Sequence, residues 1–502
     1  MTFVSDLEPR PLWQHFDALL AIPRPSKQEE RARRYVIEQA EARGLRWRRD
    51  AAGHVVVEKP ASPGQEGAPI VVLQGHLDMV TEKNAGTVHD FERDPIVPRR
   101  EGGWVKATGT TLGADNGIGA AAMLGVMTSD DLVHGPLELL FTIDEETGLT
   151  GVLALDAEAI ALRGRLLINL DSEEEGAVTI GCAGGAASRL TLPLESAPAP
   201  AGTAALEVTL SGLKGGHSGM EIHLQRGNAV KLLARALFAA LQQAPFQQIP
   251  FHLAAFQGGN KHNALPREAT ARVVVPTEAR DAFTAAVARE TAAIQDELHA
   301  VDPDLRIEIA AAASPGKVWT AAASRKALDL LNALPHGVLA MSNDIPGLVE
   351  TSLNVATADG TDDSLTILIS LRSSVASAMR TTKRALRAIA ELAGADVEEN
   401  DGYPAWKPDP ASPLLVRFQQ VHERLNGKHA ELRAVHAGLE CGVLGEKFPG
   451  MEMISFGPVI QGAHSPDEAV EVASVARFWE LLREVLGELA NASEPIRESN
   501  TN

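Results

Sequence analysis

Cysteine is nearly absent from this 502-residue chain: Cys182 and Cys441 are the two present. That is too few for a disulfide framework, so both are expected to be small buried thiols and the compartment to be the cytoplasm. No apolar run reaches the roughly 18 residues needed to span a bilayer, which excludes a membrane helix. The opening segment, MTFVSDLEPRPLWQHF, lacks a basic stretch followed by an apolar one and is not expected to act as a secretory signal. Positive charge is also in deficit, with 46 Lys plus Arg against 66 Asp plus Glu and a formal net charge of −20. Nothing on so acidic a surface balances phosphate repulsion, and a nucleic-acid partner is excluded on that ground.

What is present is apolar material in quantity, 45% of residues, over a length that predicts two or three domains. A short helix is expected over 11–20, ending before Pro23 and Pro25. Ser26 and Glu29 have the spacing of a capping box, opening a helix that runs to Gly44. Two strands follow, near 45–50 and 54–58; His54 and His89 have no acidic companion at metal-like spacing and are assigned structural or surface places. The apolar run Ile70 to Leu73 predicts a buried strand, and QGHLDMV places His76 and Asp78 just past it. In open α/β sheets ligands bind outside the carboxyl ends of strands, so this is a position for chemistry. Leu137 to Ile143 repeats the pattern and runs into Asp144, Glu145 and Glu146; Leu166 to Leu170 repeats it again and ends at Asp171. GTTLGADNGIGAAAMLGVM reads as a glycine-spaced loop entering a helix, so Asp115 sits where the partial positive charge of a helix N-terminus stabilises a carboxylate. It lacks the preceding strand and downstream acid of a dinucleotide fingerprint. Residue types alone do not choose among Asp144, Glu145 and Glu146.

GCAGGAA, from Gly181 to Ala187, marks a change of character, and its glycines suit a hinge. Beyond it, strands near 204–212, 249–256, 269–275, 305–309, 353–358 and 365–371 alternate with helices near 228–243, 279–299 and 376–392, an α+β layer separate from the first sheet. Its length hints at an internal duplication. The proline-rich GYPAWKPDPASP, from Gly402, returns the chain to the first domain's style, with helices near 414–425 and 474–489, strands near 432–436 and 451–456, a glycine turn at HAGLECGVL and a loop carrying His464. The tail beyond Asn491 is polar and expected to fray. The expected fold is therefore α/β, a doubly wound mixed sheet over residues 1–184 and 402–502, interrupted by an inserted α+β domain over 185–401.

GHLDMV, GTTLGADNGIGAA, DEETGLTG, NLDSEEEG, GCAGG, KHNALP, SLRSS, HAGLECG and AHSPDE occur in the order found in the M20 metallopeptidases, and over nearly the whole chain the sequence resembles that family, most of all its branch acting on aminoacyl-histidine dipeptides. The resemblance implies a zinc-dependent exopeptidase fold with a lid domain and two Zn2+ per chain, with Co2+ or Mn2+ able to stand in. His76 and Asp171 would hold one ion, Glu146 and His464 the other, and Asp115 would bridge them; the Asp115–Asn116 peptide would be cis. Imidazole and carboxylate are suitable zinc ligands, and two such ions can activate one water against a peptide carbonyl. Asp78 would orient His76 and Glu145 would be the general base. His217 would stabilise the oxyanion, Asn263 and Arg372 would bind the polar ends of a small peptide, and Gly438 would allow close backbone approach. The implied reaction is hydrolysis of dipeptides, Xaa-His among them. The alternatives are an amidohydrolase or tripeptidase of the same family, and an inactive peptide-binding relative, which intact ligand positions disfavour. A homodimer through the lid stays open, as does a doubled lid that imitates one within a single chain.

Overall fold

A computed structural model describes residues 4–243, 246, 250–400 and 402–491. The expected strand start at Ile249 and the polar tail beyond Asn491 lie outside the described residues. Two compact units are present: residues 1–182, 406–434 and 438–502 form the first, and residues 183–405 with 435–437 form the second.

The first unit is built on an eight-stranded sheet. Val71–His76 lies at its centre, paired in parallel with Leu137–Thr142 on one side and Leu166–Asn169 on the other. Glu452–Ser455, from the returning chain, continues the parallel run beside Leu166–Asn169. Antiparallel strands Val55–Lys59 and Arg46–Arg49 extend one edge, making the sheet mixed. Every residue of the two strands Val71–His76 and Leu137–Thr142 is buried. That explains their mostly apolar sequences, since a strand covered on both faces needs no alternation. Helix Ala114–Thr128, with Gly119 to Met127 buried throughout, packs on Val71–His76, and helices Arg10–Leu20 and Glu30–Ala42 pack on it in turn. The sheet register puts His76 opposite Thr142 and Gln74 opposite Asn169, so three parallel strands end together. The expected α/β class holds.

A smaller four-stranded sheet joins distant parts of the first unit. Pro98–Glu101 and Trp104–Ala107 form a hairpin, Ala469–Glu471 pairs with Trp104–Ala107, and Ile460–Gln461 pairs with Ala469–Glu471. The loop between these last two strands carries His464.

The second unit is a nine-stranded antiparallel sheet with helices Ala229–Leu241, Arg280–Leu298, Ala321–Ala333 and Ala376–Ala393. Long strands Val349–Gly360 and Ser364–Ser373 run through its middle, the latter also pairing with Gly184–Pro193. Phe246, Phe251 and Phe283 meet edge to face in its core.

Two readings from the sequence are corrected. Ser26 caps nothing: the helix begins at Glu30, its N-cap makes no side-chain bond, and the Ser26 hydroxyl donates instead to Asp78. HAGLECGVL is not only a turn, because Glu440–Lys447 is helical. GCAGG spans the junction of strands Ala177–Cys182 and Gly184–Pro193, with Pro408 packed where a Cβ on Gly181 would stand and Tyr403 where one on Gly185 would. Both cysteines are free and buried, as expected.

Phe251 is fully buried between two other rings. Phe251→Ala should cost about 3–5 kcal/mol by leaving an unfilled cavity, read as a lower urea midpoint at unchanged slope.

Candidate metal centre

Three parallel strands of the first unit end at one level, and the residues at or just past their ends converge. Val71–His76 ends on His76 itself, Leu137–Thr142 stops two residues before Asp144, and Leu166–Asn169 stops two residues before Asp171. The loop Gly109–Gly113 then brings Asp115 in at the start of helix Ala114–Thr128, with Gly113 at φ +70° and the Asp115–Asn116 peptide cis. From the far end of the chain the 461–469 loop adds His464, itself at φ +63°.

Asp115 lies between the two histidines. Its Oδ1 is 3.2 Å from His76 Nε2 and its Oδ2 is 3.1 Å from His464 Nε2. Asp171 Oδ1 completes one side, 3.3 Å from His76 Nε2, and Glu146 Oε2 the other, 3.0 Å from His464 Nε2. His76, Asp115 and Asp171 thus offer ligand atoms to one cation, and Asp115, Glu146 and His464 to a second. Glu145 stands beside Glu146 within reach of His76. Asp144, which the sequence could not separate from its neighbours, turns away at φ +51° and accepts from the Thr147 and Thr150 hydroxyls.

The charges of these groups are out of balance in a direction that fits bound cations. Burial pushes Asp171 up to about 7, with Asp115 and Glu146 adding to it against the pull of His76. Glu145 is raised well above the usual carboxylate range by burial, with Asp171, Glu146 and Glu440 adding to the shift and His76 opposing it. His464 is raised to about 11 by its bonds to Asp115 and Glu146. Burial opposes charge on His76, yet Asp171, Asp115 and Asp78 outweigh it and raise its pKa well above the ordinary value. Glu146 Oε1 is buried with no hydrogen-bond partner. Two imidazoles among four carboxylates, with a buried oxygen left orphaned, are a donor set suited to divalent cations.

Asp78 is wholly buried behind His76, its Oδ1 3.3 Å from His76 Nδ1. It also accepts from Ser26 and from the backbone N–H groups of Glu145 and Glu146. Burial raises its pKa, but His76 and these donors overcome that and bring it to about 2. Asp78 therefore ties the strand that ends in His76 to the segment that carries both glutamates.

Several residues of this centre went unread in the sequence. Gln74 and Asn169 face each other on adjacent strands, Asn169 Nδ2 donating to Gln74 Oε1 at 2.6 Å; a polar residue inside an all-apolar strand was the available signal. Gln74 Nε2 and the Thr142 hydroxyl both donate to buried Glu440, whose pKa burial raises to about 8. Asn116 Nδ2 donates to Leu170 O at 2.7 Å, and also to Asp171. Arg24 and Glu468 gave no signal, because their partners lie far off in sequence.

Of the substrate-binding residues that the resemblance implies, His217, Asn263 and Arg372 belong to the second unit and Gly438 to the first. In the second unit His217 Nδ1 accepts from the N–H groups of Gly219 and Met220, and burial, with the charge of Arg372, lowers its pKa. Asn263 O accepts from Ser218 N, and Arg372 Nη1 donates to the Tyr403 hydroxyl at 2.8 Å while its Nε is buried without a partner. Gly438 lies in the first unit, shortly before helix Glu440–Lys447.

A mixed α/β unit with imidazoles and carboxylates gathered at the ends of its parallel strands has the build of a metal-dependent hydrolase. Residues 72–488 match the model of peptidase family M20/M25/M40. The chain is 42% identical over 489 residues to the cytosol non-specific dipeptidase of Escherichia coli strain K12, covering 97% of this chain and 99% of that one. Its fold matches the crystal structure of aminoacylhistidine dipeptidase from Vibrio alginolyticus at a TM-score of 0.89 and 43% identity, covering 96% and 97% of the two chains. Aminopeptidase PepT from Bacillus cereus matches at a TM-score of 0.58 and 17% identity, covering 97% and 100%, a likeness of fold. The chain belongs to peptidase family M20/M25/M40. The resemblance carried by its nine motifs therefore holds.

Close packing at Gly119 keeps this centre in register. A Cβ there would stand 2.4 Å from Leu170 O, the residue before Asp171, and 2.2 Å from Asn116 Oδ1. Gly119→Ala should destabilise the first unit by about 1–3 kcal/mol through overpacking, measured by urea denaturation.

Proposed function

We propose that the protein is a dizinc dipeptidase of the cytoplasm, hydrolysing short L-peptides with Xaa-His dipeptides among them. The observation that carries this reading is Asp115, one oxygen facing each of two histidine–carboxylate groups. The E. coli and V. alginolyticus relatives, both dipeptidases by name and alike over nearly the whole chain, support it. Among the described residues no helix is long and apolar enough to cross a membrane.

His76 and Asp171 would hold one zinc ion and Glu146 and His464 the other, with Asp115 offering one oxygen to each group. Divalent ions bound by these residues would supply Lewis-acid chemistry, lowering the pKa of water and polarising the peptide carbonyl, and Co2+ or Mn2+ could take the place of zinc. Glu145 removes a proton from the attacking water as the oxygen–carbon bond forms, then gives that proton to the amide nitrogen as the carbon–nitrogen bond breaks. Its buried, carboxylate-crowded surroundings raise its proton affinity, which suits a group that must both accept and donate near neutral pH. Asp78 fixes the ring of His76, leaving Nε2 to the metal side. The inserted domain, expected over residues 185–401, serves as the lid. His217 donates to the developing oxyanion, Asn263 and Arg372 bind the polar ends of the peptide, and Gly438 allows its backbone to come close.

Glu145→Ala should lower the turnover of dipeptides by at least about 10²-fold while zinc content, measured by mass spectrometry, stays near two per chain. Full activity in that variant would refute the assignment. Asp78→Ala should weaken zinc affinity about 10–100-fold without emptying both positions, whereas His76→Ala should empty one. Dipeptides, tripeptides and N-acetyl amino acids assayed side by side test the substrate class: hydrolysis confined to N-acetyl amino acids would make the enzyme an amidohydrolase instead.

A further inference from the structure

The loop that delivers Asp115 is gripped from two sides by charged residues that touch neither histidine. On one side stands Glu468, buried and four residues beyond His464. Its Oε2 accepts from the backbone N–H groups of Leu112 and Gly113 at 2.7 and 2.9 Å, and its Oε1 accepts from those of Ala114 and Asp115 at 2.7 and 3.2 Å. Four consecutive amides thus point at one carboxylate. On the other side stands Arg24, 1% exposed, whose Nη1 donates to Leu77 O and Asp78 O, both at 2.9 Å, and whose Nη2 donates to Gly113 O. Gly113 is held by its N–H and its carbonyl at once, and a Cβ on it would stand 2.6 Å from Arg24 Nη2.

Each grip spans a long stretch of sequence. Glu468 joins the loop carrying His464 to the loop carrying Asp115, and Arg24 joins the latter to the segment just past His76. A buried guanidinium and a buried carboxylate are costly unless their hydrogen bonds are satisfied and their charges compensate. Among the described residues neither makes a direct ion pair; both spend their hydrogen bonds on main chain, and the charge of Glu468 acts on Arg24 from the other side of the loop. Helix capping does not require this, since one or two amides are what a capping side chain satisfies. A carboxylate is the side chain whose two acceptor oxygens can serve four converging donors, and a guanidinium is the one whose fork reaches carbonyls on two segments.

We infer that Glu468 and Arg24 are positioning residues for the metal centre, a two-sided clamp that sets the separation of Asp115 from His464 and His76 and thereby the affinity for both cations. The inference rests on the reading of Asp115 as the shared ligand. It gives the HSPDE stretch two roles, since the histidine binds metal and the glutamate places the loop bearing the ligand that the two ions share.

The test is zinc titration of the full-length, metal-stripped chain against a chromophoric chelator, with thermal melting of the zinc-free form alongside. Glu468→Gln keeps shape and one acceptor oxygen but turns an amide NH2 toward two of the four N–H donors. Its apparent Kd for zinc should rise about 10–100-fold at both positions, the range expected when a residue behind the ligands is lost. A residue that only fills the core would leave zinc affinity at the wild-type value in the folded Gln variant, and that result overturns the clamp. If Glu468→Gln does not fold, Arg24→Lys decides. It keeps the charge but replaces the fork with a single nitrogen, and wild-type zinc affinity in it overturns the inference equally. Failure of both to fold assigns the pair to folding and also overturns it. Asp115→Ala separates the two levels of argument. Two zinc ions retained in that variant would sink the ligand assignment itself, whereas zinc lost there but held normally by Glu468→Gln would sink only the clamp.

Discussion

Asp115 faces a histidine with each of its oxygens, and the first unit is arranged so that this carboxylate, Glu145, Glu146 and Asp171 can share one place. Like charges about 4 Å apart repel by about 4 kcal/mol each at the effective dielectric of a protein. Nothing apolar offsets that. The Asn116 side-chain amide, which donates to Asp171, supplies part of the answer, and the two imidazoles supply another part. The remaining deficit of positive charge fits divalent ions, which is why the donor set argues for metal more strongly than any one distance does.

Below the centre the sheet is polar where a sheet interior is normally apolar. Gln74, Thr142, Asn169 and Ser455 bond across four neighbouring strands, with Glu440 closing the group. Each hydrogen bond fixes the sliding of one strand on the next, since a shift of one residue would bury every one of these groups unpaired. The strand ends above them are level for that reason, and the ligands they carry inherit the alignment. Function and register are thus enforced by the same polar atoms.

Much of the first unit was legible because its strands are covered on both faces and are mostly apolar, as Val71–His76 and Leu137–Thr142 are. The loop around Asp115 was legible through its glycines, two of which leave room for the Leu170 backbone and the Arg24 side chain. Resemblance to the family, not spacing, separated Glu146 from Glu145; the geometry sets Asp144 apart, but leaves both glutamates near His76. Ser26 misled because its capping-box spacing is local, whereas its actual partner, Asp78, is set by the fold. Arg24 and Glu468 were silent for the same reason. Helix Ala321–Ala333 and strand Gly337–Met341 were missed where alanine-rich sequence and a half-exposed edge blunt the periodic signal.

His464 reaches Asp115 across 349 residues of chain. A ribosome adding about 5–20 residues per second needs roughly 20 to 70 s to travel that distance. Within that interval Glu146 and Asp171 are added to His76 and Asp115, and all four then wait for His464. The second unit is synthesised entirely within the gap. The group of side chains around Asp115 is therefore incomplete until residue 464 has been added, and a product truncated before it lacks one of the two imidazoles.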